Sequence, residues 1–351
     1  MRTNTASAGL ASFLVVLGLG CSTPGAGDDA ASSEGTTAAD AETSALSTST
    51  GTPEATSIAT SGDTTVADPT EDAGTSEGSG PPPAACEVAS LFEPGVHTGI
   101  TIDVDGVSRS YDLFVPESYD PTAAAPLVVN FHGLFGSPAQ QVEFSQFDPT
   151  AEAHGMLVAY PAGIGASFNA GGCCGEASSS GVDDVGFARA LVADVSVKMC
   201  VDPRRVYATG MSNGGHMAHR IACEAADLFA AAASVAGILY VAECAPARPI
   251  SMIQLHGTSD LIVGYNGVPE MMAAWADRNG CSPTSETTFE QGDMYCETWP
   301  GCDAGVEVSL CTIDGGGHCW PGNGSCIFGH SSTELHASEV IATMFDAQTL
   351  P

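Results

Sequence analysis

Three residue types that together can cleave an acyl bond stand in one order along this chain: Ser212, Asp260 and His318. A serine hydroxyl is a poor nucleophile at neutral pH. It needs an imidazole to take its proton, and a carboxylate to fix that imidazole's tautomer. Ser212 lies within Gly210-Met211-Ser212-Asn213-Gly214, a G-x-S-x-G pentapeptide. Such a serine sits on a sharp strand-to-helix turn, where crowded backbone requires neighbours without Cβ atoms. A helix beginning behind Ser212 aims its N-terminal dipole and the N–H of Asn213 at a developing oxyanion.

The flanking pattern supplies the context the motif demands. Val206, Tyr207 and Ala208 are an apolar run of strand type. From Gly215 onward Met217, Ala218, Ile221, Ala222, Ala225, Leu228 and Phe229 recur at three- and four-residue steps, an amphipathic helix. His132, His216, His219 and His256 compete with His318 for the base. His216 and His219 fall on the helix behind the serine and point away from it, His256 sits inside a strand end, and His132 shapes a turn. His318 follows Gly315-Gly316-Gly317, a loop able to carry the ring over a sheet edge, and is preferred. Asp260 is preferred over Asp184 and Asp314, because it lies just past a strand end, where open α/β sheets gather their ligands. Asp183 and Asp184 sit where a helix N-cap and first-turn charges belong. The order Ser, Asp, His is that of α/β-hydrolases. In that fold the loop after an early strand donates a second oxyanion N–H; here the loop is His132-Gly133-Leu134-Phe135-Gly136-Ser137, with Leu134 as the candidate donor beside Asn213.

The elements that must position these residues follow from periodicity. Apolar runs at 126–131, 156–160, 206–208, 233–239, 250–255 and 306–313 read as strands, and 183–197 and 334–345 as helices. Two further strands, 97–104 and 108–115, flank Asp105-Gly106 as a hairpin. The alternation predicts an α/β-hydrolase fold: a mostly parallel central sheet with helices on both faces. Asp103-Val104-Asp105-Gly106 resembles the start of a calcium loop, but its glycine is misplaced and no downstream Glu completes it. Segments 164–181 and 264–300 read as loops lining the acyl pocket.

Residues 1–20 carry Arg2 and an apolar run from Leu10 to Leu19, too short to span a bilayer and of signal-peptide length. Cys21 follows as at a bacterial lipoprotein processing site, although Gly18 stands where such sites usually carry Leu. Cys21 is the candidate lipidation residue, and free secretion is the alternative. Residues 21–85, rich in Ser, Thr, Ala and Asp without an aromatic, cannot bury enough apolar surface to fold. They read as a disordered tether spanning roughly 45 Å, leaving 86–351 as the catalytic domain. The net charge of −33 excludes nucleic acid and anionic membrane surfaces as partners, since both demand basic patches; membrane association is expected only through Cys21. Thirteen cysteines leave twelve once Cys21 is set aside, an even set that suggests disulfides behind an export signal. Pairing is not readable from spacing, and a bond between neighbouring Cys173 and Cys174 is among the alternatives. A zinc set of His318, Cys319, Cys326 and His330 is irregular in spacing, and disulfides are preferred to it. No metal or cofactor is expected.

An ordered set of matches now carries a resemblance across nearly all of 96–351. It comprises Pro126-Leu127-Val128-Val129 through His132-Gly133, Tyr160-Pro161, Val182-Asp183-Asp184-Val185-Gly186-Phe187, 205–215, His256-Gly257-Thr258-Ser259-Asp260 and Gly317-His318-Cys319-Trp320-Pro321-Gly322. These resemble the secreted serine esterases that include feruloyl esterases and polyhydroxybutyrate depolymerases. The resemblance implies Ser212 as nucleophile, Asp260 as acid and His318 as base, and it puts Trp320 at the substrate site. It implies a secreted or surface-anchored esterase acting on feruloyl esters of xylan. A 3-hydroxyalkanoate polyester is the alternative substrate, and a prolyl oligopeptidase-like peptidase comes third. From a different class, a non-catalytic surface binding protein could use the same fold. One departure bears on the site: Gly264 precedes Tyr265 where members usually carry Pro, which loosens the loop of Asp260.

Overall fold

The computed structural model describes residue 86 and residues 90–351 apart from 323 and 325; the expected leader, Cys21 and the tether lie outside the described residues. The chain opens with the expected hairpin, β1 (Gly95–Val104) and β2 (Val107–Val115), turned at Asp105-Gly106. Asp103 Oδ1 accepts the Gly106 N–H at 3.0 Å, so this carboxylate serves a turn. Next come β3 (Ala125–Phe131), α1 (Pro138–Ser145), α2 (Phe147–His154), β4 (Leu157–Pro161), the short α3 (Gly175–Ser179) and α4 (Asp184–Lys198). Then β5 (Val201–Met211), α5 (Asn213–Glu224), β6 (Ala231–Val235) and β7 (Ser251–Gly257) follow. The remainder is α6 (Val268–Arg278), β8 (Glu286–Gln291), β9 (Met294–Trp299), β10 (Val308–Ile313), the small ribbon β11 (His318–Cys319) with β12 (Cys326–Phe328), and α7 (Ala337–Asp346).

One ten-stranded sheet runs in the order β1-β2-β4-β3-β5-β6-β7-β10-β9-β8. From β4 to β10 the pairing is parallel throughout, with antiparallel strands only toward the two edges. The central strands are apolar on both faces, as a parallel sheet covered on both sides requires. Successive residues divide between the layers: Leu127, Val129 and Phe131 of β3 pack with α4, α5 and α6, and Val128 packs with α2 and α7. The expected α/β architecture is thereby observed.

Several boundaries differ from the sequence reading, each for a local reason. The strand expected at 233–239 is β6, which ends at Val235 because Ala236 turns to φ 49°. The last core strand begins at Val308 and the last helix at Ala337, where His336 caps it through the Ser338 N–H. Segment 264–300 is mostly regular structure, holding α6, β8 and β9, and 164–181 contains α3. The twelve cysteines form six pairs: Cys86–Cys200, Cys173–Cys174, Cys223–Cys244, Cys281–Cys302, Cys296–Cys311 and Cys319–Cys326. No helix among the described residues is long and apolar enough to cross a membrane.

Candidate active site

Because β3, β5, β7 and β10 run parallel, the loops leaving their C-terminal ends emerge on one edge of the sheet. Those four loops carry Leu134, Ser212, Asp260 and His318.

Ser212 stands between β5 and α5 with φ 56° and ψ −119°, a conformation that L-residues adopt only where the surroundings force it. The elbow's glycines are required by contact. A Cβ on Gly214 would lie 2.0 Å from the Phe131 carbonyl oxygen, and one on Gly210 would lie 2.6 Å from it. Asn213 begins α5, so its backbone N–H is among those without an intrahelical acceptor. Its buried side chain has a second task, invisible to pattern reading. It donates to the Phe168 carbonyl at 2.9 Å and accepts the Phe168 N–H at 2.7 Å, fastening the 163–175 loop to the elbow.

Asp260 and His318 meet directly, with His318 Nδ1 2.7 Å from Asp260 Oδ2. The carboxylate accepts, so Nδ1 carries the proton and Nε2 is left unprotonated. The other carboxylate oxygen accepts the N–H groups of Ile262 at 2.8 Å and Val263 at 2.9 Å. Burial pushes the Asp260 carboxyl up, but hydrogen bonding from His256, His318 and Val263 outweighs it and holds the group well below the usual carboxylate range. The two loops are also stitched together: Ser259 N–H donates to the Gly316 carbonyl at 2.8 Å, and Gly315 N–H to Thr258 Oγ1 at 2.7 Å. Gly264 thus follows a loop that these bonds and the Asp260 turn hold in place.

The rival residues are occupied elsewhere. Asp184 is buried against Arg109 at 2.6 Å and accepts the Asn169 N–H, while Asp183 caps α4 through the Gly186 N–H. Asp314 accepts from Thr258 at 3.3 Å. His216 engages the Ile238 backbone, and His219 lies between Gln254 and Trp275. His132 is neutral at Nε2, which accepts the Gly163 N–H at 3.0 Å, while its Nδ1–H donates to the Gly133 carbonyl at 2.7 Å; burial pushes its pKa down. Gly136 N–H reaches the same carbonyl at 2.9 Å. A trans peptide is planar, so holding the Gly133 carbonyl also sets the direction of the Leu134 N–H.

A cavity of about 250 Å³ opens beside Ser212, lined by Leu134, Phe135, Phe144, Met211 and Ile327. Its walls come from the loop after β3, α1 and the ribbon after His318, and no residue of 164–181 or 264–300 lines this cavity. Trp320 also needs correction. It is fully buried, packs in the core layer with α7, and its indole donates to Ser338 Oγ at 3.1 Å, so it offers no surface to a substrate. The zinc set does not form: Cys319 and Cys326 bond to each other, His318 faces Asp260, and His330 pairs with Asp293. Sγ atoms of Cys173 and Cys174 lie within 4.8 Å of a His216 nitrogen, but the two sulfurs are joined to one another and supply no thiolate.

The chain is similar to several known proteins. The prolyl oligopeptidase family profile matches residues 175–277, a stretch that includes the elbow and Asp260. Feruloyl esterase B of Piromyces equi is 37% identical over 227 residues, covering 58% of this chain and 41% of that protein. The chain thus spans well under half of that relative. "Putative esterase NocK" of Nocardia uniformis subsp. tsuyamanensis is 32% identical over 258 residues, 64% of this chain and 74% of that protein. The structure of an acetyl xylan esterase from Aspergillus awamori superposes with a TM-score of 0.53 at 18% identity, covering 72% of this chain and 99% of that one; this last likeness shows the fold. With one relative, a putative esterase, matched at 32% identity across three quarters of its length, the chain belongs to a family of serine esterases with the α/β-hydrolase fold.

Proposed function

We propose that the chain is an exported carboxylic-ester hydrolase that cleaves feruloyl or related esters of plant cell-wall polysaccharide, with Ser212, His318 and Asp260 as its triad. The observation that carries this reading is the 2.7 Å contact between His318 Nδ1 and Asp260 Oδ2, at the sheet edge where Ser212 stands in its strained elbow. His318 Nε2 takes the Ser212 hydroxyl proton as Oγ attacks the ester carbonyl. The N–H groups of Asn213 and Leu134 hold the oxyanion. Collapse of the tetrahedral intermediate breaks the C–O bond, and the alcohol leaves with the proton from His318. Water, activated by the same imidazole, then attacks the acyl-enzyme and releases the acid. The aromatic lining of the neighbouring cavity, Phe135 and Phe144, suits a planar aromatic acyl group, and the feruloyl esterase among the relatives supports the same substrate class. Export, with or without a lipid on Cys21, rests on the leader-like residues 1–20.

A second reading is favoured by one observation. Phe135, Leu261 and Ile262 on the loops and Ile327 and Phe328 on β12 are exposed apolar side chains that would also suit a 3-hydroxyalkanoate polyester. Hydrolysis of methyl ferulate against a short 3-hydroxybutyrate oligomer by the full chain, with Ser212→Ala as control, separates the two. Preference for the ferulate supports the first reading, and preference for the oligomer replaces it. Equal activity of the control on either ester would sink the triad.

A further inference from the structure

Behind the triad acid runs a line of buried polar side chains whose hydrogen-bond directions are all determined. It starts at Trp275 on α6, whose indole can only donate and does so to His219 Nδ1 at 3.1 Å. His219, on α5, must then carry its proton on Nε2, which lies 3.0 Å from Gln254 Oε1. That fixes the Gln254 amide: its Nε2 donates to the Leu255 carbonyl at 3.2 Å and to His256 Nδ1 at 3.0 Å. His256 Nδ1 is therefore an acceptor, and its proton sits on Nε2. That N–H points to the Val263 carbonyl at 2.8 Å and lies 3.4 Å from Asp260 Oδ2. Trp275, His219, Gln254 and His256 are all essentially inaccessible to solvent. A protonated His256 would set Nδ1–H against the Gln254 amide N–H, so the line holds one tautomer only.

We propose that His256 is a positioning residue of the active site, which pins the Asp260–Val263 turn and presents the carboxylate to His318. The proposal rests on the esterase reading. The turn has two halves. Asp260 Oδ1 grips the Ile262 and Val263 N–H groups, and His256 grips the Val263 carbonyl from the other side. Oδ2 is thereby directed between His318 and His256. Here Gly264 stands where a proline would have stiffened the loop, and the imidazole performs that restraint from the core. Trp275, His219 and Gln254 act through His256 by keeping its proton on Nε2. Groups facing this cluster are few: the Tyr265 ring lies edge-on to His256, His216 and His219 approach from α5, and Arg278 from the end of α6.

The test uses full-chain wild type, His256→Leu and His256→Gln, the last keeping an N–H at the position of Nε2. The readout is the rate of covalent labelling by a fluorophosphonate across pH, which needs an activated serine but no knowledge of the substrate. His256→Leu should label ~10- to 100-fold more slowly, the loss expected of a misplaced catalytic group. Without its donor the Asp260 carboxylate becomes more basic and holds the His318 imidazolium more firmly, so the acid limb of the profile should move to higher pH. His256→Gln should recover most of the rate and return the limb toward wild type. Unchanged labelling of His256→Leu overturns the proposal, as does an equal loss in both variants that merely follows lowered thermal stability. Where His256→Leu does not fold, Trp275→Phe removes the far donor without touching Asp260. It should move the limb in the same direction to a smaller extent, and an unmoved limb overturns the proposal. Wild type that does not label at all defeats the esterase reading itself, and the positioning role with it.

Discussion

At the scale of single residues, the elbow was legible because its chemistry and its sterics demand the same letters. Gly210 and Gly214 flank Ser212 because the Phe131 carbonyl leaves no room for a side chain. Ser212→Ala should reduce turnover by at least ~10⁴-fold while leaving the fold intact, since a triad loses nearly all its power with its nucleophile. Steady-state kinetics and fluorophosphonate labelling check this; a variant that still labels would place the nucleophile elsewhere. Gly214→Ala should be the opposite case. Its Cβ meets backbone rather than a movable side chain, so it should unfold at lower denaturant and lose activity together, read from a denaturation midpoint beside the rate. His132 was set aside in the sequence as a turn residue, which it is, but the turn it shapes carries Leu134, the proposed oxyanion donor. His132→Ala should lower kcat by about 10- to 100-fold with KM little changed, because a displaced oxyanion donor weakens only the transition state. A rise in KM alone would contradict that assignment. Trp320 misled because the resemblance placed it at the site by its position in a motif, whereas the chain just past β11 turns the indole into the core.

At the scale of elements, what could be read depended on whether an element faces the core on one side. Helix α4 announced itself through Val185, Ala188, Leu191 and Val195 on one face and Asp183 at its cap. Helix α6 carried a comparable signal, with Val268, Met272, Trp275 and Ala276 buried and a proline in its first turn, and it was passed over as loop. Strand β8 gave none: it lies at the sheet edge with nearly every residue exposed, so no alternation marks it. The sequence showed that disulfides would form and left Cys173–Cys174 open as one of them, but the other pairings could not be read, because pairing follows from which loops the sheet brings together. Cys319–Cys326 closes the ribbon that carries His318 and Ile327. A loop that short is worth about 2–3 kcal/mol by chain entropy. Replacing both cysteines by serine should lower unfolding free energy by about that amount. It should also cost activity beyond the stability loss, because the ribbon sets His318 and one wall of the pocket. Urea titration paired with turnover at a temperature where both proteins are fully folded tests it; undiminished turnover would show that the Asp260 contact alone holds the histidine.

For the whole molecule, the buried imidazoles tie stability to pH. Burial pushes His216 and His219 down to about 3, because both are buried side chains of α5, where an imidazolium would lose its hydration. The unfolded chain titrates these groups near 6.5. Their folded-state pKa is depressed, so their contribution is fully present above 6.5. It is lost as pH falls toward 3, because the unfolded chain takes up protons that the native state refuses. Each group gives a slope of about 1.4 kcal/mol per pH unit within that window. Asp260 adds to the loss only below about pH 4, since its native carboxyl is held low. His154 runs the other way. Burial lowers it, but hydrogen bonds to Asp346 and Glu339 outweigh that and hold it up, so its stabilisation is present below 6.5 and fades at higher pH. It lies near the surface, where solvent screens the pair. The balance favours the two buried rings. Unfolding free energy from urea titration should fall by about 2–4 kcal/mol between pH 7 and pH 5, and His219→Gln, which keeps a donor toward Gln254, should roughly halve the slope. A stability that is flat or rising over that interval would mean that these histidines accept protons inside the fold, and the directed line from Trp275 to His256 could not then hold a single tautomer.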